Sequence, residues 1–244
     1  MPFKKFRSSF IFLFGIDNGV EGDPKAWIVR ENDDRLEPTP YANYPNPEAK
    51  NVTLYLSKGA PKTGGLSLEK QNNQGKETLI DNYSFSGETL AQAEYTDHRL
   101  LFVTPPLKEN IHLSGISTIK IKLASSKPAA NLSVWMVSLP WTEGRNSKIT
   151  DNIITRGWAD PQNYKSITES ESLKPEKFYE MSFDLIPDDQ IIPKGQQIGL
   201  MIFSSDKDYT LHPEPGTELT IDLDETYISI PVVGGEASLK TALE

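Results

Sequence analysis

The chain has 244 residues, no cysteine and a formal net charge of -9 at pH 7. A chain of this length can bury a large core without disulfide support, and the lack of cysteine excludes disulfides, thiolate metal sites and a thiol nucleophile. The acidic balance, with a sequence pI of about 5.0, disfavours nucleic acid and anionic membranes as partners, because both attract patches of lysine and arginine.

The first residues combine a basic start with an apolar run, "KKFRSSFIFLFGI". This order is similar to a secretion signal, but the apolar run is short and no small-residue cleavage pattern follows it. It is also too short to span a bilayer, which takes about 20 apolar residues. We therefore favour a piece of amphipathic helix that packs on something else over a signal, and expect the N-terminal segment to be helical or irregular. The sequence leaves open whether the protein is cytoplasmic or exported.

A stretch rich in proline, asparagine and acidic residues comes next, "ENDDRLEPTPYANYPNPEAKN". It has no apolar period, which predicts an extended connecting loop over residues 31–51. This stretch is the one domain boundary that the composition suggests, and residues 52–244 form the main predicted domain.

Beyond residue 52, short segments with strand character recur, and their apolar positions indicate which faces are buried. Ile119, Ile121 and Leu123 alternate with lysines, as in a strand with one wet face. The same alternation runs through "FYEMSFDLIP" and "ELTIDLD". By contrast, "LSVWMVSL" and "IGLMIF" are apolar on both faces, which predicts central strands that are covered twice.

About ten strands joined by turns, some one-sided and some two-sided, favour two packed antiparallel sheets over an up-and-down barrel. The sequence therefore predicts an all-β fold, a β-sandwich of jelly-roll type, preceded by the short N-terminal helical or irregular segment.

Common catalytic patterns are absent from the sequence. There is no G-x-S-x-G nucleophile elbow and no H-E-x-x-H zinc motif, and His98, His112 and His212 are far apart. Asp97 precedes His98 directly, but neighbouring side chains of a strand or turn point apart. We expect His98 to make a structural hydrogen bond or to be exposed.

Two acidic clusters offer oxygen ligands of the kind that Ca²⁺ prefers. Neither contains the D-x-D-x-D-G loop of a calcium site, so we interpret both as solvated charge and expect no cofactor. The clusters consist of Glu31, Asp33 and Asp34, and of Asp222, Asp224 and Glu225.

The stretch "IITRGWADPQNYKSI", residues 153–167, places Arg156, Trp158 and Asp160 within five positions. We interpret it as a packing corner: a glycine turn at a strand end that leaves Arg156 able to pair with an acid, followed by a turn. Asp160 would begin that turn, by capping, with Pro161 at its first corner position. Trp158 would cover the edge of the core.

Aromatic side chains next to turns also suggest a ligand platform. Trp135 lies in a two-sided apolar strand and is expected in the core. That leaves Trp141 and Trp158 as candidates for binding a sugar or another small ligand, which would make the chain an independent binding module.

Several segments in order resemble the C-terminal domain of the Xaa-Pro dipeptidyl-peptidase family of serine peptidases, which is shared with cocaine-esterase-like hydrolases. The segments are "GIDNGVEGDPKAWIVREND", "YPNPEAKNVTLYLS", "TRGWADPQNYKS", "LIPDDQIIPKGQQIGLMIFSSD", "HPEPGTELTID" and "ISIPVVGG". The resemblance implies a galactose-binding-like jelly roll.

This resemblance also has implications for function. The family's Ser, Asp and His belong to an α/β-hydrolase domain that precedes the link, so no catalytic residue is expected here. The resemblance also implies that residues 1–30 are a remnant of the link and helix from that catalytic domain. The implied partner is that catalytic domain, with self-association left open. The implied role is noncatalytic support of an active site that, in the whole enzyme, releases N-terminal Xaa-Pro dipeptides.

Overall fold

A computed structural model describes residue 19 and residues 22–30, 37–141, 152–212 and 215–244. Within these ranges the chain forms fifteen β-strands and two α-helices. The strands are β1 (Ala26–Ile28), β2 (Thr39–Tyr41), β3 (Ala49–Ser57), β4 (Gly64–Ser67), β5 (Lys76–Ile80), β6 (Arg99–Val103), β7 (Ile111–Gly115), β8 (Thr118–Ser125), β9 (Leu132–Leu139), β10 (Ile153–Ala159), β11 (Phe178–Asp184), β12 (Asp188–Ile192), β13 (Gln197–Phe203), β14 (Glu218–Asp222) and β15 (Tyr227–Val233). The helices are α1 (Gly87–Gln92) and α2 (Gly235–Leu243).

Thirteen of these strands belong to one hydrogen-bonded network, and β1 and β2 form a separate hairpin-like pair. The main path runs β10-β9-β13-β6-β4-β3-β15-β8-β14-β5, with β11 beside β8, and with β12 paired to β7, which adjoins β15. Except for the short parallel pair of β4 and β6, all pairings are antiparallel. The short strand β4 therefore joins two larger groups of strands.

These two groups face each other as the layers of a sandwich. Alternate residues of β9 and β13, such as Val134 and Leu200, belong to the same buried cluster as alternate residues of β3, β8 and β15, such as Leu54, Ile121 and Ile230. Strands at opposite ends of a hydrogen-bonded path share one core only if the path folds back on itself. The predicted all-β sandwich is confirmed, while its jelly-roll and galactose-binding-like character stays a prediction.

The first layer, β10-β9-β13-β6, is also apolar on its outer face. Trp135, Val137, Met201 and Phe203 point away from the sandwich core and form a second buried cluster with Leu90 of α1. The two-sided apolar pattern of β9 and β13 thus predicted their position correctly. The second layer differs, because its outer face carries charged pairs such as Lys120–Glu180.

A fully buried arginine fixes α1 on this outer face. Arg99, at the start of β6, donates to the carbonyl oxygens of Leu90, Ala60, Pro61 and Ala93 at 2.6–3.2 Å. Burial lowers the pKa of Arg99 to about 10. Because backbone carbonyls rather than an acid surround the guanidinium, the sequence gives no sign of this role.

The segment before β3 is more ordered than the composition suggests. Within the predicted loop of residues 31–51, Thr39–Tyr41 forms β2, which pairs with Ala26–Ile28, and β3 begins at Ala49. Residues 31–36 and most of residues 1–21, including the apolar run, lie outside the described residues. The division into link, loop and main domain therefore stays a prediction.

The substitution Gly87→Ala tests how α1 packs on the outer face of the first layer. A Cβ at Gly87 would collide with the Trp135 ring, so either the helix or the indole must shift. We expect the free energy of unfolding to fall by about 1–3 kcal/mol in a urea titration. Gly22→Ala, where a Cβ meets nothing within 4 Å, is the matched control and should change stability little. Equal effects of both changes would contradict the packing described.

Candidate functional site

Arg156 and Gly157 lie inside a strand, and not in a glycine turn as the sequence suggested. Both belong to β10, which pairs with β9 at the edge of the first layer. Gly157 is required there by close packing, because a Cβ would approach Leu185 at 3.1 Å and Phe183 at 3.2 Å. Gly157 is therefore the position where residues 183–185 pack closely against β10. The prediction of a glycine turn at Arg156 and Gly157 was wrong.

The turn that follows β10 agrees with the residue roles proposed for it. The Asp160 side chain accepts from the Gln162 amide at 2.8 Å and caps a single 3-10 turn, Pro161–Asn163, with Pro161 at its first position. The Asp160 carboxylate serves this local cap, since it also accepts from the side-chain amide of the same Gln162.

Arg156 and Trp158 point to the outer face of the first layer and meet residues from distant strands. The Arg156 guanidinium carbon lies 4.7 Å from the ring centroid of Tyr209, 5.4 Å from that of Trp135 and 5.9 Å from that of Trp158. Trp158 and Tyr209 stack with centroids 5.2 Å apart. Arg156 is thus held by ring faces, at distances where cation–π attraction operates.

A buried carboxylate lies beneath these rings. Asp206 is fully buried, and its Oδ2 atom accepts from the indole nitrogens of Trp135 and Trp158, both at 3.0 Å. Burial raises the pKa of Asp206, and the two indole donors and the nearby Arg156 charge only partly oppose that rise. The acid thus orients both indoles, while the expected covering of the core edge by Trp158 stays a prediction.

Trp141 does not join this cluster. It lies just after β9, is partly buried, and packs against the outer apolar cluster of the first layer. The structure therefore does not bring the two tryptophans of the predicted ligand platform together in one described contact.

Asp97 and His98 do not bond to each other. The His98 ring nitrogen Nδ1 lies 2.9 Å from the Ile80 carbonyl oxygen, whereas Asp97 accepts from the Tyr95 hydroxyl at 2.8 Å. His98 thus makes the structural hydrogen bond that the sequence suggested.

A different histidine pairs with an acid that the sequence did not single out. The Asp189 Oδ1 atom accepts from Arg30 Nε at 2.7 Å and lies 3.0 Å from His112 Nε2, and the Tyr41 hydroxyl is within 3.4 Å of both side chains. Arg30 also donates to Thr39 Oγ1. This cluster fastens the β1–β2 pair to β7 and β12. Because Arg30 and Asp189 are 159 positions apart, no local pattern could have predicted it.

The Asp189 carboxyl stays ionised although its side chain is only 3% exposed. Burial acts to raise its pKa, but hydrogen bonds from His112 and Ser114 and the charges of His112 and Arg30 outweigh burial and place the pKa below its usual value. Arg30, with 11% of its side chain exposed, gains a counter-ion in return.

Two residues of the second acidic cluster, Asp222 and Asp224, make contacts within the protein. Asp224 accepts from the backbone amides of Gln74 and Gly75, and Asp222 pairs with Lys122 at 3.5 Å. The described ranges contain no group of three or more acids and histidines arranged to hold a metal ion. The cluster Glu31, Asp33 and Asp34 lies outside them. No described helix is long and apolar enough to cross a membrane.

A family model for the X-Pro dipeptidyl-peptidase C-terminal non-catalytic domain matches residues 18–241. The chain belongs to this family. A relative from Rhodopirellula baltica, named as an Xaa-Pro dipeptidyl-peptidase, is 62% identical over 230 residues, which are 94% of this chain and 37% of that protein. A relative of the same name from Bacillus anthracis is 32% identical, over 91% of this chain and 35% of that protein.

The solved structure of a CocE/NonD family hydrolase from Staphylococcus aureus has the same fold in part of its chain. It matches with a TM-score of 0.68 and 14% identity, over 94% of this chain and 45% of that chain. The chain thus spans about a third of the length of the curated relatives it matches. It is the noncatalytic C-terminal domain that the resemblance implied.

Two substitutions at Trp158 separate its packing from its hydrogen bond. Trp158→Ala removes both and should lower the free energy of unfolding by about 3 kcal/mol, whereas Trp158→Phe keeps a ring against Tyr209 and should cost about 1–2 kcal/mol through the lost Asp206 bond. Urea unfolding at pH 7 gives both values. An unchanged melting temperature of the alanine variant would show that the ring contributes no packing.

The Asp189 cluster predicts a pH-dependent attachment of the β1–β2 pair. Since the folded-state pKa is lowered, the stabilisation is present above the unfolded pKa of about 3.9 and is lost as the pH falls through the folded value. Asp189→Asn should cost about 3 kcal/mol at pH 7, because Arg30 is left without its counter-ion. Unfolding free energies from about pH 3 to pH 7 test this.

Glu180→Gln is the control for Asp189→Asn, since it breaks an exposed ion pair with Lys120. Exposed pairs contribute about 0–1 kcal/mol, so this variant should keep nearly the parent stability. If Asp189→Asn retained the parent's pH dependence below the unfolded pKa, the assignment of that dependence to Asp189 would be wrong.

Proposed function

We propose that this chain acts as the noncatalytic C-terminal module of an Xaa-Pro dipeptidyl-peptidase-like serine hydrolase, where it supports the active site of an α/β-hydrolase domain. The observation that carries the proposal is the family match over residues 18–241, together with relatives named for that activity. In the whole enzyme, the hydrolase domain would supply the serine nucleophile and its base.

The contacts of the described residues agree with a supporting role. Acyl transfer to serine needs a hydroxyl within hydrogen-bond reach of a base such as histidine. In the ranges that the structure describes, His98 contacts a backbone carbonyl, His112 contacts Tyr41 and Asp189, and His212 contacts the Lys207 carbonyl. None of these rings bonds to a serine hydroxyl.

Attachment of the link gives the module a means to position a neighbour. The pair β1–β2 is fixed to the sandwich by Arg30, Tyr41, His112 and Asp189, largely out of solvent. A domain joined through this pair would be held by an ion cluster rather than by a free linker. Such preorganisation keeps a supporting surface near the chemistry without supplying a reacting group.

The alternative is an independent module for carbohydrate or another small ligand. It would need an open aromatic face at Trp158, and Tyr209 stacks on that ring. This contact favours the supporting role, and the ligand-binding role would be supported only by direct binding in a glycan array or a thermal-shift panel.

A chimera tests the proposal within a whole enzyme. In the Rhodopirellula baltica relative, the matched third would be replaced by this chain, and hydrolysis of glycyl-prolyl-p-nitroanilide would be measured. We expect the chimera to be active and this chain alone to show no turnover, because the acyl-enzyme requires the preceding part.

The intact relative serves as the positive control for this assay. Two results would refute the proposal: turnover by this chain alone that a serine-directed inhibitor abolishes, or a folded chimera without activity beside an active intact relative.

A further inference from the structure

We propose that Arg156 and its aromatic neighbours form the docking surface for the catalytic part of the enzyme and receive an acidic side chain from it. The docking surface is defined as Arg156, Trp158, Tyr209 and Leu211. The inference rests on the proposed function, and it assigns to one patch of this chain the contact that the proposed function requires.

The charge of Arg156 has no ion-pair partner within the described part of the chain. The ion pairs of the described ranges join other residues, and the Arg156 guanidinium contacts ring faces. The N–H groups of a guanidinium can donate two parallel hydrogen bonds to a carboxylate while the same group contacts aromatic rings. Asp206 is near enough for its charge to interact with that of Arg156, but the described contacts include no hydrogen bond between the two side chains: Oδ2 accepts from the two indoles, and Oδ1 is buried without a hydrogen bond.

The surroundings of Arg156 have the composition of an interface centre. Tyr209 is 55% exposed and Leu211 is 89% exposed, beside the half-buried Trp158. Arginine, tryptophan and tyrosine are enriched where protein interfaces gain most of their affinity, and a carboxylate in such a setting is shielded from water. Leu211 follows Tyr209 by two positions, and covering such exposed apolar surface with a partner stabilises the complex.

The docking surface is rigid before any partner arrives. Asp206 fixes the two indoles, and Asn131 Nδ2 donates to Thr210 Oγ1 at 3.4 Å and to the Leu211 carbonyl at 2.5 Å. The Thr210 hydroxyl in turn bonds to the Asp206 backbone at 2.9–3.0 Å. A surface held in this way loses little conformational entropy on binding.

The surface also adjoins the place where the link is attached. The Ile186 amide donates to the Arg156 carbonyl at 2.7 Å, and a cleft of about 130 Å³ is lined by Arg156, Ile186 and Asp188. Asp189, the next residue, binds Arg30 of the link. A domain that precedes this link would therefore be attached through Asp189, the neighbour of a residue that lines the same cleft as Arg156. Since the curated relatives are about three times as long as the matched part, such a domain is large enough to cover the surface.

Hydroxyl-radical footprinting tests the docking surface directly. This chain alone and the active chimera would be oxidised in parallel, and modification of Trp158, Tyr209 and Leu211 would be read by mass spectrometry. We expect modification of Leu211 and Tyr209 to fall by about threefold or more in the chimera, because an interface centre excludes water. Tyr55 and Tyr227, which contact each other on the second layer, are the reference and should be unchanged.

Charge removal tests the acidic partner. In the chimera, Arg156→Gln should abolish most of the protection of Leu211, and Arg156→Lys should abolish part of it, because lysine keeps the charge but not the planar hydrogen-bonding edge. Lys120→Gln removes an exposed cation from the second layer and should leave the protection intact. Raising NaCl from about 0.05 to about 0.5 M should weaken the protection in the parent chimera more than in Arg156→Gln.

The outcomes separate this inference from the proposed function. An active chimera in which Leu211 and Tyr209 are oxidised as in the isolated chain would overturn the docking surface and leave the supporting role standing. Protection that survives Arg156→Gln in full would overturn the acidic partner. A folded but inactive chimera would instead refute the proposed function itself.

Discussion

The constraint on which the structure depends is that β9 and β13 are apolar on both faces. Each strand must bury one face against the second layer and the other face beneath a covering element, because exposure of either apolar face to water is unfavourable. The inner face organises the sandwich core, and the outer face requires α1 to lie on Trp135 and Phe203. The buried Arg99 helps to hold α1 on this face, because it donates to backbone carbonyls in and just after the helix and to that of Ala60.

One cluster of polar groups lies where this outer face reaches the edge of the first layer. Where β10 ends the first layer, the apolar surface gives way to Arg156, Trp158 and Asp206. The aromatic rings continue the apolar face, while the buried carboxylate satisfies the indole nitrogens that burial would otherwise leave unpaired. This edge, with a cation among aromatic rings, is the surface that we propose to meet another domain.

Family membership and structure make complementary statements about function. The family match identifies a noncatalytic domain, and the structure shows histidines and acids used for attachment and capping: His112 with Asp189, and Asp160 with Gln162. The buried ion cluster at the link and the arginine among aromatic rings both agree with the proposed positioning role.

By itself, the sequence determined the all-β class, the buried face of strands such as β8, the two-sided β9 and β13, the Asp160 cap and the family. These features depend on period-2 alternation, local turn chemistry or ordered motifs, which act between near neighbours. Only the tertiary structure decided that Gly157 lies within a strand, that Arg99 is buried, and that Asp189 binds Arg30 and His112, 159 and 77 positions away. Those features depend on contacts between distant segments, and the packing of the two layers determines these contacts, whereas no local sequence pattern does.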